Sequence, residues 1–148
     1  MSHATHSRLI WIYDPDWTAD DLAVANDAAF VFNIVLPITI LRVGTLITTV
    51  MNGAATVAFD RRVLTDSDTG RVNGLDSSGN GVIIIPTTTA VGKLVHKDLA
   101  SSPVDCNPGD QIIAEVTSAA TSGAGRHFVE YIVRDETAAN CSDMIATA

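Results

Sequence analysis

Apolar and polar residues alternate along much of this chain with a period of two, which is the spacing of half-buried β-strands. The cleanest alternation is RHFVEYIVR, at residues 126–134. Other alternating or continuous apolar segments of strand length lie at residues 9–13, 29–36, 38–51, 55–64, 82–85, 91–99 and 111–118. The pattern therefore predicts about eight strands.

Turn signals separate several of these segments. Asn52-Gly53 predicts a tight hairpin between the strands at 38–51 and 55–64. The sequence NPGD at residues 107–110 predicts a type II turn, because Pro presets φ at the first central position and Gly accepts a positive φ at the second. Only residues 18–25 suit one or two helical turns, with Thr18 as the N-cap.

Many strands and almost no helix predict an all-β fold, because parallel strands would need crossover helices. We expect an antiparallel β-sandwich, jelly-roll-like, of about eight strands. Residues 28–148 are assigned to the sandwich domain, and residues 1–27 to an N-terminal arm with a short helical turn. Deletion of residues 2–17 is accordingly expected to leave a folded sandwich with weaker attachment to its partner.

Composition narrows the functional classes. The chain has 148 residues, of which 47% are hydrophobic and 18% charged, so it is not of the disordered type. Its net charge of −8 argues against nucleic-acid binding and against an anionic membrane surface. The apolar segment at 31–51 contains Pro37 and Arg42, which favour strands over a membrane span. The apolar stretch at 9–13 is too short for a signal peptide.

Motifs of catalysis or metal binding are missing from the sequence. Asp66-x-Asp68-x-Gly70 begins like a calcium loop, but Gly70 and Ser77 stand where the pattern needs oxygen ligands. A loop-capping role is therefore favoured, and a weak ion site formed by Asp60, Asp66, Asp68 and Asp76 is left open. His3 and His6 have i,i+3 spacing, but they lie in the predicted N-terminal arm and are interpreted as solvated residues rather than metal ligands. His96, His127, Cys106 and Cys141 have no partner at metal or catalytic spacing. The two cysteines are interpreted as separate buried thiols, with a disulfide left open for an oxidising compartment. We expect no enzyme activity, no cofactor, no metal and no small-molecule substrate.

Aromatic residues cluster near the N-terminus. Trp11, Tyr13 and Trp17 are three of the eight aromatic residues and lie within seven positions. Two interpretations remain open: these side chains cap an open end of the sandwich, or they anchor the chain on another subunit, since aromatic residues dominate contact hot spots. They are the candidate partner-contact residues.

The C-terminal third carries a family resemblance. GKLV at 92–95, NPGDQIIAEVTSAAT at 107–121, FVEYIVRDE at 128–136 and NCSDM at 140–144 resemble small virion proteins of tailed bacteriophages. The greatest similarity is to the decoration, or cement, proteins on the outside of icosahedral heads. The resemblance covers about 50 residues.

The resemblance implies a jelly roll or related sandwich, usually a homotrimer, that binds the major capsid protein and stabilises contacts between neighbouring capsomers. It also implies assembly in the host cytoplasm and a final location on the outer surface of the virion capsid. One alternative is a tail, fibre or baseplate sandwich that binds host-surface glycans. Another is a non-viral carbohydrate-binding or structural sandwich. A glycan-binding protein is expected to carry exposed aromatic residues in its loops, and the long loop at 65–81 contains no aromatic residue.

Overall fold

The computed structural model describes residues 8–13, 20–25, 30–62, 75, 80–99 and 101–134. Within these ranges the chain forms strands and turns, and it holds no helix with the length and hydropathy of a membrane span. The strands are β1 (Arg8–Tyr13), β2 (Asp20–Asp21), β3 (Phe30–Asn33), β4 (Ile38–Asn52), β5 (Ala55–Arg62), β6 (Val82–Ile85), β7 (Leu94–Asp98), β8 (Val104–Cys106), β9 (Gln111–Ser118) and β10 (Ser122–Val133).

The strands form two antiparallel sheets. The first has the order β1-β10-β4-β7, with the short β2 paired to β10 and the short β8 paired to β4. The second has the order β3-β9-β5-β6. If the short strands β2 and β8 are set aside, successive strands alternate between the two sheets. The one exception is the pair β5 and β6, which are neighbours in the second sheet. This is the strand order of a jelly roll, so the predicted all-β, jelly-roll-like sandwich is confirmed.

The core lies between the two sheets and follows the period of two. Val57 and Phe59 in β5 are fully buried, as are Ile112, Ala114 and Val116 in β9. Aliphatic side chains of β4 contribute to the same cluster from the other sheet. Because alternate residues of a strand share a face, β5 and β9 place every second side chain in this core.

The hairpin predicted at Asn52-Gly53 is wrong. These residues do turn the chain, and Gly53 has a φ of +89°. However, β4 and β5 lie in different sheets, so the turn passes the chain across the core. Thr121 N donates a hydrogen bond to the Asn52 carbonyl at 2.7 Å. This bond keeps the end of β4 beside β10. The local signal fixes the reversal, whereas core packing decides which sheet the next strand joins.

The helical turn predicted for residues 18–25 is wrong for its described positions. β2 instead pairs with β10, and Leu22 is fully buried. Leu22 N donates to Gly123 O at 3.0 Å, and Leu22 O accepts from Ala120 N at 2.9 Å. Pairing with β10 prevails over local helix propensity because it places an apolar side chain in the core.

β1 lies within the stretch predicted as an N-terminal arm. It pairs with β10 from Arg8 opposite Ile132 to Tyr13 opposite Phe128. In the described part of the chain, β1 is therefore an outer strand of the first sheet.

Candidate functional site

An exposed apolar loop connects β3 to β4. Val35 is 78% exposed and Leu36 is 53% exposed, although Ile34 before them and Ile38 after them are buried. Two adjacent aliphatic side chains in solvent differ from the scattered apolar residues of an ordinary surface. We call Val35 and Leu36 the aliphatic tip.

Backbone hydrogen bonds hold the aliphatic tip from both sides. Ile34 N donates to Asp110 O at 2.9 Å, and Ile34 O accepts from Gly109 N at 2.7 Å. On the other side, Arg134 N donates to Pro37 O at 2.8 Å. A loop fixed in this way loses little conformational entropy when a partner binds it.

The turn at residues 107–110 supports the tip. Gly109 has a φ of +95°, and Asp110 N donates to Asn107 O at 3.1 Å, as the predicted type II turn requires. Asp110 is buried, and its Oδ2 accepts from Arg61 Nε at 3.0 Å, from Arg61 Nη2 at 2.6 Å and from Asn107 N at 2.9 Å. The buried carboxylate is thus paired and hydrogen-bonded, and it ties the turn to β5.

Polar side chains form a network beside the backbone segments that hold the aliphatic tip. Arg134 Nη2 donates to Cys106 O at 3.0 Å and to Asn107 Oδ1 at 2.9 Å. Arg134 Nη1 lies 3.8 Å from Asp105 Oδ2, and Thr39 Oγ1 donates to Asp105 Oδ1 at 2.5 Å. Apolar residues with a polar rim of both charges are the usual composition of a protein-binding surface.

Cys106 lies beneath this rim as a free, buried thiol. Burial raises the pKa of the Cys106 thiol to about 11, and the charges of Arg61 and Asp110 act in opposite directions on it. The thiolate is therefore suppressed near neutral pH, which fits a packing role rather than a nucleophile. Cys141 lies outside the described residues.

A second apolar surface lies on β6, at the edge of the second sheet. Val82 is 38% exposed and Ile84 is 67% exposed, whereas Ile83 and Ile85 point into the core. Among the described strands, β6 pairs only with β5. We call the outward side of this strand, with Val82 and Ile84, the β6 edge.

The predicted contact residues lie elsewhere. Trp11 is on β1 at the bulge between Ile10 and Ile12, where the register with β10 shifts. Tyr13 is opposite Phe128 at the end of that strand, and Trp17 lies outside the described residues. The structure thus places two of the three on one sheet edge, and neither belongs to the aliphatic tip or the β6 edge.

The histidines and acids considered above do not converge on a reactive site in the described part. His127 is buried between the sheets, with Nδ1 2.8 Å from Thr45 Oγ1 and its ring edge-on to Phe59. His96 is exposed on β7, and His3, His6, Asp66 and Asp68 lie outside the described residues. In the ranges that the structure describes, no three His, Cys, Asp or Glu side chains are grouped to hold a metal ion.

The four aromatic side chains whose burial the structure describes are packed rather than presented to solvent. Phe59 and Phe128 are fully buried. Phe32 and Tyr131 are partly buried and pack together across the two sheets, with ring centroids 5.6 Å apart. The large apolar side chains that the structure describes as exposed are aliphatic.

In comparisons with known proteins, no protein-family model, no curated protein and no solved structure matches this chain. The resemblance to phage decoration proteins therefore stays a prediction.

Proposed function

We propose that this protein is a structural virion component that binds the outside of an icosahedral phage head and stabilises contacts between capsomers of the major capsid protein. The observation that carries the proposal is the aliphatic tip, a pair of exposed side chains on a loop held by hydrogen bonds on both sides. The jelly-roll fold supports it, since this architecture is common in viral shells. The resemblance of the C-terminal third supports it as well.

The aliphatic tip suits binding to a repetitive protein surface. Full burial of a Val or Leu side chain contributes about 1.5–3 kcal/mol, so one tip gives a modest affinity. A shell presents the same site many times, and linked contacts raise the overall affinity without new chemistry. The polar rim with Arg134 and Asp105 supplies hydrogen-bonding groups that fix the orientation of the bound protein.

The glycan-binding alternative has no observation in its favour. Sugar-binding surfaces use exposed aromatic rings against the apolar faces of the sugar. The four aromatic side chains whose burial the structure describes, Phe32, Phe59, Phe128 and Tyr131, are buried or partly buried. The proposal therefore stays with a protein partner.

A matched pair of substitutions tests the proposal. Leu36 and Val50 are 53% and 54% exposed, but Val50 lies at the far end of β4, roughly 40 Å along the strand from Ile38. We expect Leu36→Asp to lose binding to heads that lack this protein, and Val50→Asp to bind like the wild type, in a sedimentation assay. Urea unfolding of both variants checks that they fold. Equal binding by Leu36→Asp and wild type would contradict the proposed contact.

A further inference from the structure

We propose that Asn52 is a site of spontaneous deamidation, and that the hydroxyl of Thr87 controls the rate by holding the Gly53 amide. An Asn followed by Gly is the dipeptide in which this reaction is least hindered, because Gly has no side chain to crowd the attacking nitrogen. The inference concerns the turn between β4 and β5 and does not depend on binding to a shell.

The reaction joins the side chain of Asn52 to the main chain. The backbone nitrogen of Gly53 loses its proton and attacks Cγ of Asn52, so a C–N bond forms. The Cγ–Nδ2 bond breaks and ammonia leaves with the proton, which produces a five-membered succinimide ring. Water then opens the ring at either carbonyl and leaves aspartate or isoaspartate. In isoaspartate the main chain runs through the side-chain carbon and is longer by a methylene group.

The structure holds the two reacting groups differently. Asn52 is exposed, and none of the described residues hydrogen-bonds to its side-chain amide. The Gly53 N–H is held, because it donates to Thr87 Oγ1 at 3.1 Å. The carbon that is attacked is therefore accessible, whereas the nitrogen that must attack it is bound to a single side-chain hydroxyl.

Backbone pairing keeps Asn52 in an extended conformation. Asn52 is the last residue of β4, lies opposite Ser122 and accepts from Thr121 N at 2.7 Å. In an extended residue the next backbone nitrogen points away from Cγ, so ring closure requires rotation about the Cα–C bond of Asn52. That rotation moves the Gly53 nitrogen and breaks its bond to Thr87. The reaction therefore waits for local opening of the turn.

The loop that carries Thr87 is fixed to β4 by its backbone. Thr88 N donates to Met51 O at 3.1 Å, and Met51 N donates to Thr89 O at 3.1 Å. These bonds hold the loop even though Thr88 has a φ of +63°, which is unusual for a β-branched residue. Because neither bond uses the side chain of Thr87, its hydroxyl can be removed while the loop stays beside the turn.

A second Asn-Gly pair, Asn80-Gly81, provides a comparison within the same chain. Gly81 is buried and its carbonyl accepts from Phe59 N at 3.0 Å, while the Asn80 carbonyl accepts from Leu75 N at 2.7 Å. This pair is packed against β5, whereas Asn52 is exposed, so we expect Asn52 to react faster in the folded protein. The third pair, Asn73-Gly74, lies outside the described residues.

Conversion of Asn52 loosens one end of the first sheet. The extra methylene of isoaspartate displaces the carbonyl that accepts from Thr121 N, and this bond keeps the end of β4 beside β10. The new carboxylate also adds negative charge to a chain whose net charge is already −8. We therefore expect aged protein that carries the modification to unfold at a lower urea concentration.

Ageing of the folded full chain in mildly alkaline buffer tests the inference. Peptide mapping by mass spectrometry detects the mass gain from replacing NH2 by OH at each Asn, and isoaspartate and aspartate peptides separate by chromatography. We expect Thr87→Val to deamidate at Asn52 about fivefold faster than the wild type, which is the effect of losing one ordinary hydrogen bond. Thr87→Ser keeps the hydroxyl and should react like the wild type.

Thr89→Val is the matched control in the same loop. The Thr89 hydroxyl donates to Pro86 O at 2.6 Å rather than accepting from Gly53 N, so this variant should keep the wild-type rate at Asn52. In urea, wild type and Thr87→Val should react equally, because the unfolded chain has no bond between Thr87 and Gly53. The rate at Asn80 should not change in any variant, which separates local opening of the turn from global unfolding.

Three results would overturn the inference: a folded Thr87→Val protein in which Asn52 reacts no faster than in the wild type, equal acceleration by Thr89→Val, or faster reaction at Asn80 than at Asn52 in the folded wild type. Urea unfolding midpoints establish that the variants are folded.

Discussion

The ring of Phe128 lies over Gly44 on the face of the first sheet that points away from the core. The two residues are directly opposite each other in β10 and β4, whereas the next pair, Val129 and Val43, faces the core. A Cβ atom at Gly44 would lie 2.6 Å from Cζ of Phe128 and 2.5 Å from the backbone oxygen of Val95. The missing side chain of Gly44 thus provides the space that the buried ring occupies.

Gly44→Ala should destabilise the protein by about 2 kcal/mol or more, because the added methyl meets backbone as well as the ring. Urea unfolding measures the loss. Gly92→Ala is the comparison: Gly92 has a φ of +80° and no atom near its missing Cβ, so it reports backbone strain without overpacking. A Gly44→Ala protein as stable as the wild type would show that the ring does not need this space.

The Arg61–Asp110 pair should be strongly coupled. Asp110→Ala leaves Arg61 without its closest anionic partner and frees the turn at 107–110, so we expect a loss of about 3 kcal/mol. A double-mutant cycle with Arg61→Met measures the coupling by urea unfolding. Additive effects of the two single changes would contradict it.

The more exposed pair of Arg42 and Asp98 is the control for that cycle. Its closest atoms are 3.8 Å apart, and the Asp98 side chain is 56% exposed. Solvent-exposed pairs of this kind contribute about 1 kcal/mol or less. Asp98→Ala should therefore change the unfolding free energy far less than Asp110→Ala.

Stability should fall in alkaline solution because of Cys106. Burial raises the pKa of its thiol from 9.0 to about 11, so the folded protein holds this proton at a pH where the unfolded chain releases it. The contribution is fully present below pH 9 and is lost as the pH rises towards 11, by about 1 kcal/mol per pH unit.

Urea unfolding across this pH range, with Cys106→Ala beside the wild type, measures the effect. Other titrating groups are common to both proteins, so the difference between the two pH profiles reports the thiol. Parallel profiles would rule out the thiol as the cause.

Deletion of residues 2–17 should destabilise the fold. The deletion removes β1, which pairs with β10 along its length, and it opens the edge of β10. We therefore expect a lower urea midpoint and greater aggregation than for the full chain, in contrast to the expectation from sequence of an arm that the sandwich does not need. Deletion of residues 2–7 separates the contribution of β1 from that of the residues before it. An unchanged midpoint after the longer deletion would mean that β1 adds no stability.

Sequence patterns located most of the strands because burial in a sandwich has a period of two. The bounds predicted for β6 and β9 agree with the structure. β8 was not predicted, since three residues are too short to show a period, and it forms by pairing with the start of β4. Local sequence patterns also could not predict which sheet each strand joins. The turn at Asn52-Gly53 shows this, because β4 and β5 lie in different sheets.

The candidate surfaces were less predictable. Ile34 and Val35 are both β-branched aliphatic residues, yet Ile34 is buried and Val35 is 78% exposed. The difference arises because the distant turn at 107–110 bonds to the backbone of Ile34 and fixes the direction of the loop. The continuous apolar run at 82–85 likewise predicts a strand, but only the sheet order shows that this strand, β6, lies at an edge.

The most direct test of the proposed function is sedimentation of this protein in a gradient of lysate from its native source. The proposal predicts that the protein travels with virus-sized particles and is released from them as a small species by a mild chaotrope. Recovery of the protein only at the top of the gradient, in the presence of intact particles, would contradict a role on the virion shell.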